Sequence, residues 1–99
     1  MDSKIEIHMF QAYDGDCFLV TIYETEKEVN LLIDCGSSET YQNYVKPYLL
    51  RMSEQQKKID YLILTHIHSD HIGGVIPLLL DNGSADDAHI IEISNVIYN

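Results

Sequence analysis

Four side chains able to bind divalent metals stand within six residues: His66, His68, Asp70 and His71, in the run Thr65-His66-Ile67-His68-Ser69-Asp70-His71-Ile72-Gly73-Gly74. Imidazole and carboxylate donors in this mixture suit zinc by default, with manganese as the alternative. Alternate side chains of an extended segment share a face. His66 and His68 therefore converge on one ion, while the following turn aims Asp70 and His71 at a second point a few ångströms away. Two metals imply metal-assisted hydrolysis. A water between two ions ionises near neutral pH, and the same ions polarise the carbonyl or phosphoryl oxygen under attack. Asp70 is placed to hold one ion and to accept a hydrogen bond from the nucleophile. A solvated, histidine-rich loop is the plain alternative, and it explains neither the spacing nor the position of the run between an apolar strand and two glycines.

The elements around the run must hold it in place. Residues 59–65 are almost continuously apolar, as in a strand buried on both faces, and the histidines follow at its carboxyl end, where open α/β sheets place their sites. Upstream, residues 4–10 alternate, with Ile5, Ile7 and Met9 on one side of a half-buried strand. A turn around Gly15-Asp16 leads to a second strand at 17–23, and a charged turn at 25–28 to a third at 29–33, giving two sequential hairpins. Ser38, Tyr41, Tyr44, Val45, Tyr48, Leu49 and Met52 then trace the stripe of an amphipathic helix, with the tyrosines on its packing face. Pro47 on its polar side predicts a kink or a helix in two pieces. After the metal run come an apolar helix to about Leu80, closed by Asp81-Asn82-Gly83, a polar loop at 84–88, and one or two further strand segments within 90–98. Gly73 and Gly74 let that helix start close to the loop.

Composition narrows the function classes. The 99 residues carry 16 acidic and six basic side chains, a formal charge of −10, which argues against their docking nucleic acid through a broad basic patch but not against a nucleic-acid substrate whose charge bound cations offset. Cys17 and Cys35 are too few for a disulfide framework or a thiolate zinc site, and read as reduced, buried thiols. Cys35 has no acid–base histidine assigned to it and reads as structural rather than nucleophilic. The longest apolar run, residues 75–80, is far short of a membrane span, and the opening Met1-Asp2-Ser3-Lys4 is no signal peptide, so the cytoplasm is the default location. The final strand pattern ends without a stop signal, as expected of the first part of a larger domain.

These residues resemble the metallo-β-lactamase superfamily. The run from Thr65 to Gly74 matches its HxHxDH signature, and Leu31-Leu32-Ile33-Asp34-Cys35-Gly36 is similar to its strand ending in Asp-x-Gly. The flavour is that of the hydrolase domains attached to DNA-uptake proteins and some bacterial defence proteins. The resemblance implies an α/β fold, the N-terminal half of an αββα sandwich. It assigns His66 and His68 to one metal and Asp70 and His71 to the other, and makes Asp34 a support that orients the metal loop. Thr65 would be a structural hydroxyl, and an ordinary turn or capping role remains the alternative for Asp34. The family completes its sites with a later histidine, a bridging aspartate and a final histidine, which these residues lack; His8 and His89 match neither position. The missing ligands would come from the remainder of the same protein or from a partner chain, and 99 residues alone would be inactive. A dinuclear nuclease or phosphodiesterase is the first expectation. A hydrolase of thioesters, lactones or small esters is the second, and a non-catalytic half-fold that pairs with a partner the third.

Overall fold

A computed structural model describes residues 3–10, 16–65, 74–83 and 90–98. Five strands, β1 (Lys4–Met9), β2 (Phe18–Glu24), β3 (Lys27–Ile33), β4 (Ile59–Leu64) and β5 (Ile93–Tyr98), form one sheet in sequence order. β1, β2 and β3 pair antiparallel as the two expected hairpins, whereas β3, β4 and β5 run parallel and are joined by helical crossovers. The architecture is α/β, as the alternation of patterns predicts.

The first crossover is a helix in pieces: α1 (Ser38–Thr40), a π-helical turn (Tyr41–Val45) and α2 (Lys46–Glu54). Pro47 occupies the first turn of α2, where its missing N–H costs nothing, and the widened turn lies directly before it. The expected stripe is the buried one, with Tyr41, Val45, Leu49 and Met52 in the core and Tyr44 and Tyr48 packed against it, although Ser38 at its start is exposed. The second crossover is α3 (Val75–Gly83). Tyr41 Oη donates to Asp81 Oδ2 at 2.8 Å and Lys46 Nζ pairs with the same carboxylate at 3.2 Å, so both crossovers lie side by side on one face of the sheet. Leu19, Leu32 and Leu62 fill the core beneath them, and Ile90 and Ile91 join it ahead of β5.

The opposite face carries three rows of side chains: Ile5, Ile22 and Val29; Ile7, Val20, Leu31, Tyr61 and Asn95; Met9, Phe18, Ile33, Ile63 and Ile97. All but Asn95 are aliphatic or aromatic, yet nothing among the described residues covers them. This corrects two expectations. β1 is exposed on both sides rather than half-buried, with Ile7 67% exposed, and β4 is covered on one face only, leaving Tyr61 in the open. Continuous apolarity along these rows is the pattern of a face suited to being covered.

Candidate metal centre

The structure places the two ends of the metal run on one short segment, residues 34–37, that follows β3. Asp34 adopts φ +58°, a left-handed conformation that aspartate tolerates better than most residues. Its backbone N–H donates to Ile63 O at 2.9 Å, extending the β3–β4 pairing by one step. Its carboxylate turns to the residue after β4: Thr65 N–H donates to Oδ1 at 3.0 Å, and Thr65 Oγ1 donates to Oδ2 at 2.6 Å. The carboxylate is thereby committed to the residue immediately before His66.

The far end is fixed by backbone alone. Gly74 N–H donates to Gly36 O at 2.9 Å, and Gly74 O accepts from Leu78 N–H at 3.3 Å as α3 begins. The approach is so close that a Cβ on Gly74 would stand 2.4 Å from Cys35 O and 2.8 Å from Ser37 O. Only glycine fits. Gly36 itself takes φ +65° and donates its N–H to Asp16 O at 3.2 Å. Ser37 Oγ accepts from Thr40 N–H at 3.2 Å and caps α1.

The supporting shell beneath is apolar and neutral. Cys17 Sγ donates to Asp34 O at 3.1 Å, and both cysteines are buried free thiols, as composition suggests. Burial, reinforced by the nearby Asp34 carboxylate, pushes the Cys17 thiol up to about 12. Burial likewise raises Cys35 well above its ordinary value, with Cys17 and Asp34 adding to it. Both are held protonated at neutral pH, which disfavours a nucleophilic role for either. Beyond α3, Asn82 Oδ1 accepts from Ile90 N–H at 2.7 Å and Ile91 N–H at 2.9 Å, joining the helix end to the approach of β5.

Of the residues the sequence singles out, Asp34, Thr65 and Gly74 are brought together. His66, His68, Asp70, His71, Gly73 and His89 lie outside the described residues, and no group of three or more metal-ligating side chains occurs among the described ones. His8 sits apart on β1, its ring 4.5 Å from Phe10 and 4.7 Å from Tyr48. Sequence reasoning missed the Gly36–Gly74 contact and the Cys17 donor. The paired glycines after the histidines were the available signal, but their partner 38 residues upstream has no local signature.

The HxHxDH run, the Asp-x-Gly strand end and the half-sandwich topology agree with the comparison to known proteins. The chain belongs to the metallo-β-lactamase superfamily, whose family model matches residues 12–90. Similar proteins include ribonuclease Z of Agathobacter rectalis, 44% identical over 57 residues that cover 58% of this chain and 17% of that protein. Ribonuclease Z of Rippkaea orientalis is 39% identical over 62 residues, 63% of this chain and 18% of that protein. Hydroxyacylglutathione hydrolase of Idiomarina loihiensis is 25% identical over 75 residues, 76% of this chain and 26% of that protein. The chain thus spans about a fifth to a quarter of the curated relatives it matches. No helix among the described residues is long and apolar enough to cross a membrane.

Proposed function

We propose that these residues are the metal-loop half of a dinuclear metal-dependent hydrolase, acting on phosphodiesters as a nuclease or phosphodiesterase. The observation that carries this reading is the clasp at residues 34–37, which holds Thr65, the residue before the HxHxDH run, by a carboxylate and Gly74, three residues past the run, by a backbone bond. A fold that only needed to connect β4 to α3 would have no use for a carboxylate committed to Thr65 or for a glycine pressed onto Cys35 O. A loop that must hold ligands in a set geometry does. The donor set fits divalent ions: His66 and His68 at one, Asp70 and His71 at the other, with zinc favoured and manganese the alternative. When bound, two such ions supply Lewis acidity and a water of lowered pKa. This chain's own part is to hold the ligands, to back Asp34 with the buried Cys17 thiol, and, through Asp70, to orient the attacking water.

Two ligands per ion leave each site incomplete. We infer that the remainder of the same protein, or a partner chain, supplies the rest and covers the bare sheet face, completing the αββα sandwich over residues 1–99. Similarity to ribonuclease Z favours RNA or another phosphodiester as substrate. Similarity to a hydroxyacylglutathione hydrolase favours a thioester as the second reading. The test is turnover by the whole native protein of single-stranded RNA, of bis(p-nitrophenyl) phosphate and of an acylglutathione, with and without a chelator. Chelator-sensitive phosphodiester cleavage supports the first reading and faster thioester cleavage the second. Inertness toward all three would leave the half-fold as a binding module.

A further inference from the structure

A groove that shares no lining residue with the segment at 34–37 lies on the helix-bearing side of the sheet, beside β1, β2 and α2. Two adjoining cavities, of about 170 Å³ and 150 Å³, form it and share Tyr48 and Tyr23 as walls. Its chemistry is graded along its length. At one end the Arg51 guanidinium stands 5.5 Å from the centroid of the Tyr48 ring and makes no ion pair among the described residues, beside Lys57, which pairs with Glu28 at 3.5 Å. In the middle the His8 and Tyr48 rings lie 4.7 Å apart with a 37° tilt, braced edge-on by buried Phe10. At the other end is Glu6, which accepts the hydroxyl of Tyr23 and holds that phenol up to about 12. The floor is a buried polar pair, Thr21 Oγ1 donating to Asn30 Oδ1 at 2.7 Å.

A surface built for packing alone would bury its rings and pair its cations. Here His8 and Arg51 are exposed, Tyr48 is half-buried, and the floor is already satisfied by its own hydrogen bond. We propose that the groove is a second, non-catalytic binding site for a nucleotide. The aromatic base lies against His8 and Tyr48, the phosphate meets Arg51 and Lys57, and an amino group on the base faces Glu6. Each part follows from general chemistry: rings stack bases without regard to sequence, guanidinium forks match phosphate oxygens, and a carboxylate accepts from an exocyclic amine. The volume sits at the lower end of small-molecule sites, room for one nucleotide and not for a duplex. Lys57 lies two residues before β4, and His8 is level with Leu62 through the sheet register, so the groove runs along the strands toward the end that carries Thr65 without sharing a lining residue with it. The inference stands on different residues from the proposed activity and does not depend on it.

The shared chemistry, a base bearing a phosphate, occurs in free nucleotides and in single-stranded nucleic acid. Equilibrium binding of AMP, adenosine and a short oligoadenylate to the whole native protein distinguishes them, with exposed residues mutated as Arg51→Ala and His8→Ala. We expect AMP to bind more tightly than adenosine and each variant to weaken AMP binding by about tenfold. Cleavage of bis(p-nitrophenyl) phosphate by the Arg51→Ala protein should stay at the parent level. Saturation by AMP identifies free nucleotide as the ligand. Binding of the oligoadenylate alone, lost in the same variants, identifies a strand. Adenosine binding as tightly as AMP, no binding of either nucleotide form, or binding indifferent to both variants overturns the proposal.

Discussion

Asp34 holds Thr65 by two hydrogen bonds across 31 residues of sequence, one from its backbone N–H and one from its hydroxyl. The carboxylate bridges β3 to the exit of β4, one residue before His66. Removing it in Asp34→Ala takes the acceptor from both donors of the exposed Thr65 and puts alanine at φ +58°, for a combined cost of about 1–3 kcal/mol. Asp34→Gly relieves the backbone and loses the carboxylate, whereas Asp34→Asn keeps an acceptor for the N–H. Metal affinity of the native protein should fall ten- to hundredfold in both Ala and Gly variants and less in Asn, as supporting ligands typically show. Metal occupancy measured by elemental analysis after dialysis checks this, and equal occupancy in all three would refute the supporting role.

The second hold predicts a steric effect. Gly74→Ala forces a Cβ to within 2.4 Å of Cys35 O, and that backbone has no flexible end to move aside. We expect a loss of about 1–3 kcal/mol in chemical denaturation, with metal binding weakened in parallel. Gly83→Ala is the control, since nothing lies within 4 Å of a Cβ there.

The thiols offer a chemical readout. Because burial raises Cys17 and Cys35 above their ordinary value of 9.0, the neutral forms stabilise the fold. That contribution is complete below pH 9 and is lost as pH rises, for Cys17 on approaching 12. Both thiols should resist a disulfide reagent at pH 8 in the native state and react at once in denaturant. Rapid native reaction at either position would contradict the buried neutral pair.

Asp81 is held below the usual carboxylate range, chiefly by the Tyr41 hydroxyl and then by Lys46. A depressed carboxyl stabilises the fold above its unfolded value near 3.8, and the gain disappears as pH falls through the folded value. The tie between the two crossovers should therefore be intact at neutral pH and begin to weaken only as pH falls below about 4. Thermal melts of Asp81→Asn should show lower stability at pH 6 and a smaller drop from pH 6 to pH 3 than the parent.

Much of this was readable from residue types. The period of Ile5, Ile7 and Met9, the Tyr41 to Met52 stripe and the break at Pro47 are local signals, and each became the element it indicated. What local pattern does not carry is which faces receive a cover. The apolar rows of β1 and β4 suggest burial, yet this face is bare among the described residues. Asp34 and Thr65 stood out in the sequence because a strand ending in Asp-x-Gly is distinctive, and the structure joins them by two hydrogen bonds. The Gly36–Gly74 contact was not, since two backbones approaching over 38 residues leave no trace except the glycines. The groove at His8, Tyr48 and Arg51 was equally hidden, because β1 and α2 must come together before those side chains meet.

The central claim is that the clasped HxHxDH run holds two metal ions. Native mass spectrometry of the protein purified from its own cells, beside the same protein carrying His68→Ala, tests it most directly. The account predicts two divalent ions in the parent, and a folded variant that has lost metal together with hydrolytic activity. A folded parent that carries no metal and takes up neither zinc nor manganese would contradict it.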